Sequence, residues 1–140
     1  MSDPSCIFCK ILEGKIPSVR VYEDEGVVAF LDIAPIAPGH TLLVPRGHSR
    51  DLLETPQEAL SALMAVAPKV ARAVLKATGG EGFNFFQFNG ACSGQEVMHL
   101  HFHIIPRRPG DGVSYPWRQG RYAEGEMAAL GAKVRAAMKD

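Results

Sequence analysis

The sequence predicts an α+β fold with about five short strands, a helical turn near the N-terminus, a long central helix and a last helix at the C-terminus. Three observations carry this. Two apolar runs flank an acidic turn, a clustered start signal precedes a 24-residue stretch at helical spacing, and histidines alternate with apolar residues near the end of the sheet region.

In chain order, Ile7, Phe8, Ile11 and Leu12 recur at helical spacing before Gly14, which predicts one or two turns over 7–13. Val19 to Glu23 and Val27 to Leu31 read as strands joined by Asp24-Glu25-Gly26, an antiparallel hairpin. The stretch 32–40 is too rich in proline and glycine to be regular, and it leads into a strand over Thr41 to Val44. Thr55-Pro56-Gln57-Glu58 combines an N-cap threonine, a proline at the first helical position and a capping-box glutamate, so a helix is expected from there to about Thr78, kinked at Pro68. Phe83 to Phe88 and Val97 to Ile105 read as two more strands joined by the small-residue loop 89–94. After a polar stretch, a final helix is expected over roughly Tyr122 to Lys139, with Met127, Leu130, Val134 and Met138 as its apolar stripe.

At 140 residues the chain is long enough to bury one core, and no repeat or second composition class appears, so one domain over 1–140 is expected. Fifteen basic residues balance 15 acidic ones, which argues against nucleic acid or a membrane surface as partner and favours a small molecule. No stretch approaches 18 apolar residues and no leader pattern opens the chain, so a cytoplasmic protein is expected. Three cysteines, two of them in Cys6-x-x-Cys9, fit a reducing compartment better than a disulfide framework.

The informative segment is 98–104. On a strand, His99, His101 and His103 must share one face while Met98, Leu100, Phe102 and Ile104 take the other, so the imidazoles are expected to line a cleft and the even residues to face the core. Same-face neighbours lie about 6.6–6.8 Å apart, so the outer pair is ~13 Å apart and cannot share one metal ion. The spacing suits phosphoryl chemistry, in which one imidazole attacks phosphorus and a neighbour serves the phosphate or the leaving group. His101, with a partner on either side, is the expected nucleophile, and backbone amides of Ser93-Gly94-Gln95 are expected to meet the phosphate oxygens.

Gly94-Gln95-Glu96-Val97-Met98-His99-Leu100-His101-Phe102-His103-Ile104-Ile105-Pro106 resembles the signature of the histidine-triad (HIT) family, near its bacterial Hint-like phosphoramidases. The resemblance extends through Cys6 to Ile11, Phe30 to Pro35, Pro38 to Leu42 and Pro45 to His48, covering about 5–108, with 109–140 as an additional loop and helix. It implies an antiparallel five-stranded sheet with two main helices and a homodimer. It further implies a covalent nucleotidyl-histidine on His101, with His103 at the phosphate and leaving group and His99 and His40 in support.

The same resemblance assigns Asp32 to the ribose hydroxyls, where a carboxylate can accept both hydrogen bonds of a diol. Ile7, Phe8, Ile11, Phe30 and Ile33 match the purine slot, Gln95 matches a position that approaches the phosphate, and Gly94, Glu96, Val97 and Asn89, which falls one position after the family's asparagine, are expected among the nucleotide-binding residues. Cys6, Cys9, His48 and His99 match a structural zinc set found in some bacterial members; catalysis itself requires no cofactor. Two positions depart from the pattern. Phe88 stands where many relatives carry a nucleotide-contacting asparagine, and Glu96 stands where Hint enzymes carry a serine.

The expected function is therefore hydrolysis or transfer on purine nucleoside 5′-phosphoramidates or related phosphoanhydrides. The alternatives are a dinucleoside polyphosphate hydrolase, a regulatory nucleotide binder with incidental hydrolysis, and a zinc hydrolase. Tyr115, Trp117 and Arg118 are expected to lie in a loop that either borders the pocket or is plain surface.

Overall fold

The computed structural model describes residues 2–114 and 119–138. Its elements are α1 (Ile7–Leu12), β1 (Arg20–Glu23), β2 (Val27–Leu31), β3 (Thr41–Pro45), α2 (Gln57–Thr78), β4 (Gly82–Phe86), β5 (Phe102–Arg107) and α3 (Glu126–Ala137). The strands form one antiparallel sheet in the order β1-β2-β3-β5-β4.

Strands β2 and β3 are continuous apolar runs because both faces of the sheet are covered. Val27, Ala29, Leu43 and Ile104 pack with Leu63, Ala67, Val70, Ala71 and Val74 of α2. Val28, Phe30, Leu42 and Val44 point the other way and pack with Phe8, Cys9 and Ile11 of α1. Each fully buried Leu or Ile contributes about 1.5–3 kcal/mol, so both layers matter to stability. The short helix on the second face is what later covers the histidines.

Three sequence expectations change, while Pro68 is found within α2 as expected. Strand β5 begins at Phe102 rather than Val97, because Leu100 N–H donates to Ser49 O at 2.8 Å and the chain at 97–101 runs against the 49–55 loop instead of a strand. Helix α2 has no side-chain cap: Thr55 Oγ1 donates to Asp51 O at 2.7 Å and bonds Ser49 Oγ at 2.8 Å, so its hydroxyl is engaged within the loop. Pro68 lies inside α2 on its exposed side, where its carbonyl neighbours can turn to water. Finally, α3 has no buried residue, and Met127, Leu130, Val134 and Met138 are all exposed. Among the described residues, no helix is long and apolar enough to cross a membrane. Tyr115, Trp117 and Arg118 lie outside the described residues.

Candidate functional site

The register carries Phe30, Leu42, His103 and Phe86 in one row across the sheet, on the α1 face. His101 and His99 continue along that face ahead of β5. Phe8 of α1 lies edge-on to both, 5.0 Å from His101 and 5.9 Å from His99 between ring centroids. The shared face was legible from alternation, but its openness was not. His99 is fully buried and His101 is 8% exposed, whereas Met98, expected in the core, is 39% exposed. The physical reason is α1, which closes the histidine face at its upstream end.

Hydrogen bonds decide what each ring offers. His101 Nδ1 lies 2.7 Å from His99 O; a carbonyl only accepts, so Nδ1 carries the proton and Nε2 keeps its lone pair. His40 Nδ1 accepts from Ile36 N–H at 3.1 Å, which leaves the proton of neutral His40 on Nε2, facing His103 Nδ1 at 2.9 Å. His103 in turn accepts at Nδ1 and carries its proton on Nε2. The His101 and His103 rings are 5.0 Å apart. Burial lowers the pKa of all four of these imidazoles, to about 4 for His99 and His103. The Asp32 carboxylate opposes that shift at His40, His101 and His103, and Glu96 opposes it at His101. At neutral pH the row is uncharged, so His101 is available as a neutral nucleophile.

His40 is held in place by its loop. Gly39 has φ +95°, and a Cβ there would fall 2.6 Å from Thr78 Cγ2, so glycine lets the proline loop close onto the end of α2. Asp32 Oδ1 accepts from Ala34 N–H at 2.9 Å, while Oδ2 lies 3.6 Å from His40 Nε2.

Of the apolar positions matched to a purine slot, Phe8, Ile11 and Phe30 are buried together, with Phe8 and Phe30 edge-to-face at 5.5 Å. Ile7 is half exposed and Ile33 is 100% exposed, so neither is buried with that cluster. The turn expected to cradle phosphate is self-satisfied: Ser93 N–H and Gln95 N–H donate to Gly90 O, and Gly94 N–H donates to Ala91 O. A tight turn uses its own amides. The Glu96 and Val97 amides have no protein acceptor among the described residues and lie next in the chain.

Gln95 and Asn89 act within the scaffold. The buried Gln95 accepts from Gly90 N–H at 2.7 Å and donates to Arg50 O at 2.7 Å and Val97 O at 3.1 Å. Asn89 Oδ1 accepts from Leu52 N–H at 2.8 Å and from Gln87, and its Nδ2 donates back to Gln87. Both side chains tie the 49–55 loop to the turn, which accounts for the path of 97–101. Sequence reading left Pro45 O, Ser49 O and Ile36 N–H unnoticed, since a backbone group's partner has no residue-type signal. Phe86, stacked on His103, was also missed; strand parity opposite a histidine could have found it.

At the other end of the row, Cys6 Sγ, Cys9 Sγ, His48 Nδ1 and His99 Nδ1 lie within 4.8 Å of one another. His99 Nε2 donates to Pro45 O at 3.0 Å, so Nδ1 presents its lone pair to Cys6 Sγ at 3.5 Å and Cys9 Sγ at 3.6 Å. Cys9 Sγ is 3.4 Å from His48 Nδ1. Ligands about 2.3 Å (S) and 2.0–2.1 Å (N) from a tetrahedral zinc ion stand roughly 3.5 Å apart, so this donor set fits the ion. Backbone N–H groups of Asp3 and Cys9 point at the two sulfurs, and Asp3 Oδ2 lies 3.8 Å from His48 Nε2 as an outer carboxylate. Asp32, His40 and His103 form a second close cluster, but a cation does not suit it. His40 Nδ1 already accepts an N–H, so its Nε2 must keep a proton.

The HIT domain family model matches residues 13–110 of this chain. The adenosine 5′-monophosphoramidase hnt1 of Schizosaccharomyces pombe is 38% identical over 136 residues, spanning 96% of this chain and 99% of the relative. A crystal structure from Streptococcus mutans matches at TM-score 0.92 and 40% identity, over 98% of this chain and 87% of that one. A zinc-bound histidine triad family protein from Mycobacterium smegmatis matches at TM-score 0.75 and 37% identity, over 95% and 97%. With a histidine row of this geometry on this five-stranded sheet, and with these matches along most of its length, the chain belongs to the HIT domain family.

Proposed function

We propose that this protein hydrolyses purine nucleoside 5′-phosphoramidates through a nucleotidyl intermediate on His101. The observation that carries the reading is the bond from His101 Nδ1 to His99 O, which leaves Nε2 as a fixed lone pair beside His103. In the first step Nε2 attacks the α-phosphorus and the P–N bond breaks. Neutral His103, whose Nδ1 accepts from His40, donates a hydrogen bond from Nε2–H to the leaving nitrogen, which departs as the amine with a proton drawn from solvent. Water then adds to phosphorus, gives up a proton to solvent, and releases His101 and the nucleoside monophosphate.

In this reading Phe8, Ile11 and Phe30 form the base slot with Ile7 and Ile33 at its rim, and Asp32 accepts from the ribose diol. The Glu96 and Val97 amides meet the phosphate, while Gly94, Gln95 and Asn89 hold their loop. Cys6, Cys9, His48 and His99 would hold a zinc ion that ties α1 to the histidine row and takes no part in bond breaking. Its free thiols suit a reducing cytoplasm. A homodimer is favoured by the exposed Phe83 and Phe85 on edge strand β4 and by the uncovered stripe of α3.

The test is intact-mass detection of a nucleotide adduct on incubation with adenosine 5′-phosphoramidate. We expect an adduct in the wild type and none in His101→Ala. An adduct that persists without His101 sinks the assignment, and faster turnover of a diadenosine polyphosphate would move the substrate class to dinucleotides.

A further inference from the structure

The sheet face that carries His103 also carries two phenylalanines with no part in the reaction just described. Strands β4 and β5 pair so that Phe86 is directly opposite His103, and the two rings stack at 4.7 Å with their planes 13° apart. Phe88 lies on the same side, 5.6 Å from His103 and 5.0 Å from Phe86. Behind Phe88 stands Gly94, with φ +107°, where a Cβ would come within 3.3 Å of the ring. Gln87, between the two phenylalanines, instead forms the reciprocal amide pair with Asn89, whose Oδ1 also holds Leu52 N–H. The segment is thus anchored on one side while both rings bear on His103 from the other.

We propose that Phe86 and Phe88 are positioning residues for His103, a two-ring brace that keeps Nδ1 on His40 and Nε2 presented to the leaving group. The need is physical. The χ2 torsion of histidine is broad and roughly two-fold, so an unbraced ring can turn over and exchange Nδ1 for carbon at the His40 contact. Turning a ring that is stacked face to face requires the stack to separate first. His40 alone fixes one nitrogen, whereas the phenyl faces fix the plane. The proposal rests on His103 being the residue that serves the leaving group.

The experiment compares Phe86→Leu and Phe88→Leu with Phe86→Tyr and Phe88→Tyr, reading kcat and KM on adenosine 5′-phosphoramidate together with the ring ¹⁵N shifts of ligand-free His103. Leucine keeps apolar bulk but offers no face, while tyrosine restores the face. We expect kcat to fall about tenfold in each leucine variant with KM within about twofold, and most of the loss to be recovered by tyrosine. The two His103 nitrogen shifts should move from single-tautomer values toward averaged ones in the leucine variants. Unchanged shifts and unchanged kcat in folded leucine variants overturn the proposal, as does a fall in melting temperature with His103 shifts unaltered. If the wild type proves inactive on the phosphoramidate while the shifts still move, the brace stands and the substrate reading fails.

Discussion

His99 and His101 sit two residues apart on one face, and each donates to a backbone carbonyl through a different nitrogen. His99 uses Nε2 toward Pro45 O and so turns Nδ1 to two sulfurs; His101 uses Nδ1 toward His99 O and so turns Nε2 toward His103. In the proposed reading the same side chain serves as a metal ligand in one place and a nucleophile in the other, because the acceptor available nearby selects the tautomer. The two ends are also joined, since the carbonyl that orients His101 belongs to His99.

The sharpest way to break this division is to remove one ring at a time. His101→Ala should lower kcat at least about 10³-fold while a reconstituted sample keeps its zinc content. His99→Ala should lose the metal. Turnover assays paired with elemental analysis check this, and zinc loss in the first variant would show that the ends are not separable.

Next in size is Cys9→Ala. With one donor gone, bound zinc should fall below stoichiometry, and the melting temperature should drop by about 10 °C. Turnover should fall only about tenfold, through loosening of the His99 carbonyl. Calorimetry and kinetics on the same preparation would measure the coupling between the ends.

Acidification probes the reaction end. The pKa of His103 is lowered by burial from 6.5 to about 4, and that of His40 is lowered by the same cause. Between those values the unfolded chain binds protons that the folded chain refuses. Stability is therefore fully present above about pH 6.5 and is lost as pH falls toward 4. Melting temperatures from pH 7 to 4.5 should show the decline, with a shallower slope in His103→Gln. An equal slope would place the titrating group elsewhere.

The smallest effect is expected at the loop tie. Asn89→Ala removes the acceptor for Leu52 N–H and should destabilise by about 1 kcal/mol, with KM for the nucleotide substrate within about twofold. A larger rise in KM would return Asn89 to the nucleotide-binding residues among which it was expected.

Much of the site could be read in one dimension. Period-two alternation predicts a common face for His99, His101 and His103; the structure keeps Phe8 edge-on to His99 and His101 and Leu100 in the opposite core, although the chain bends at 97–99 before β5. The Cys6-x-x-Cys9 spacing on a helical turn puts both sulfurs on one side, next to whatever that turn covers. What escaped were features set by backbone acceptors, some local and one remote. The strand was placed five residues too early because Ser49 O, from a remote loop, captured Leu100 N–H. The phosphate-cradling amides were assigned to a turn that closes on itself, and Thr55 was read as a cap although its hydroxyl serves Asp51 O. Residue type shows that a donor exists but not which acceptor reaches it first.

Taken alone, the sequence determined the residue chemistry and its sidedness: which positions could ligate, attack or pack, and on which face of an extended chain they fall. Those are local properties, set by side-chain type and by backbone periodicity. The tertiary structure decided which histidine nitrogen is free, which face is sealed by α1, and which rings brace His103. A proton's place on an imidazole depends on the nearest acceptor, and here the acceptor for His99 comes from Pro45, 54 residues away along the chain.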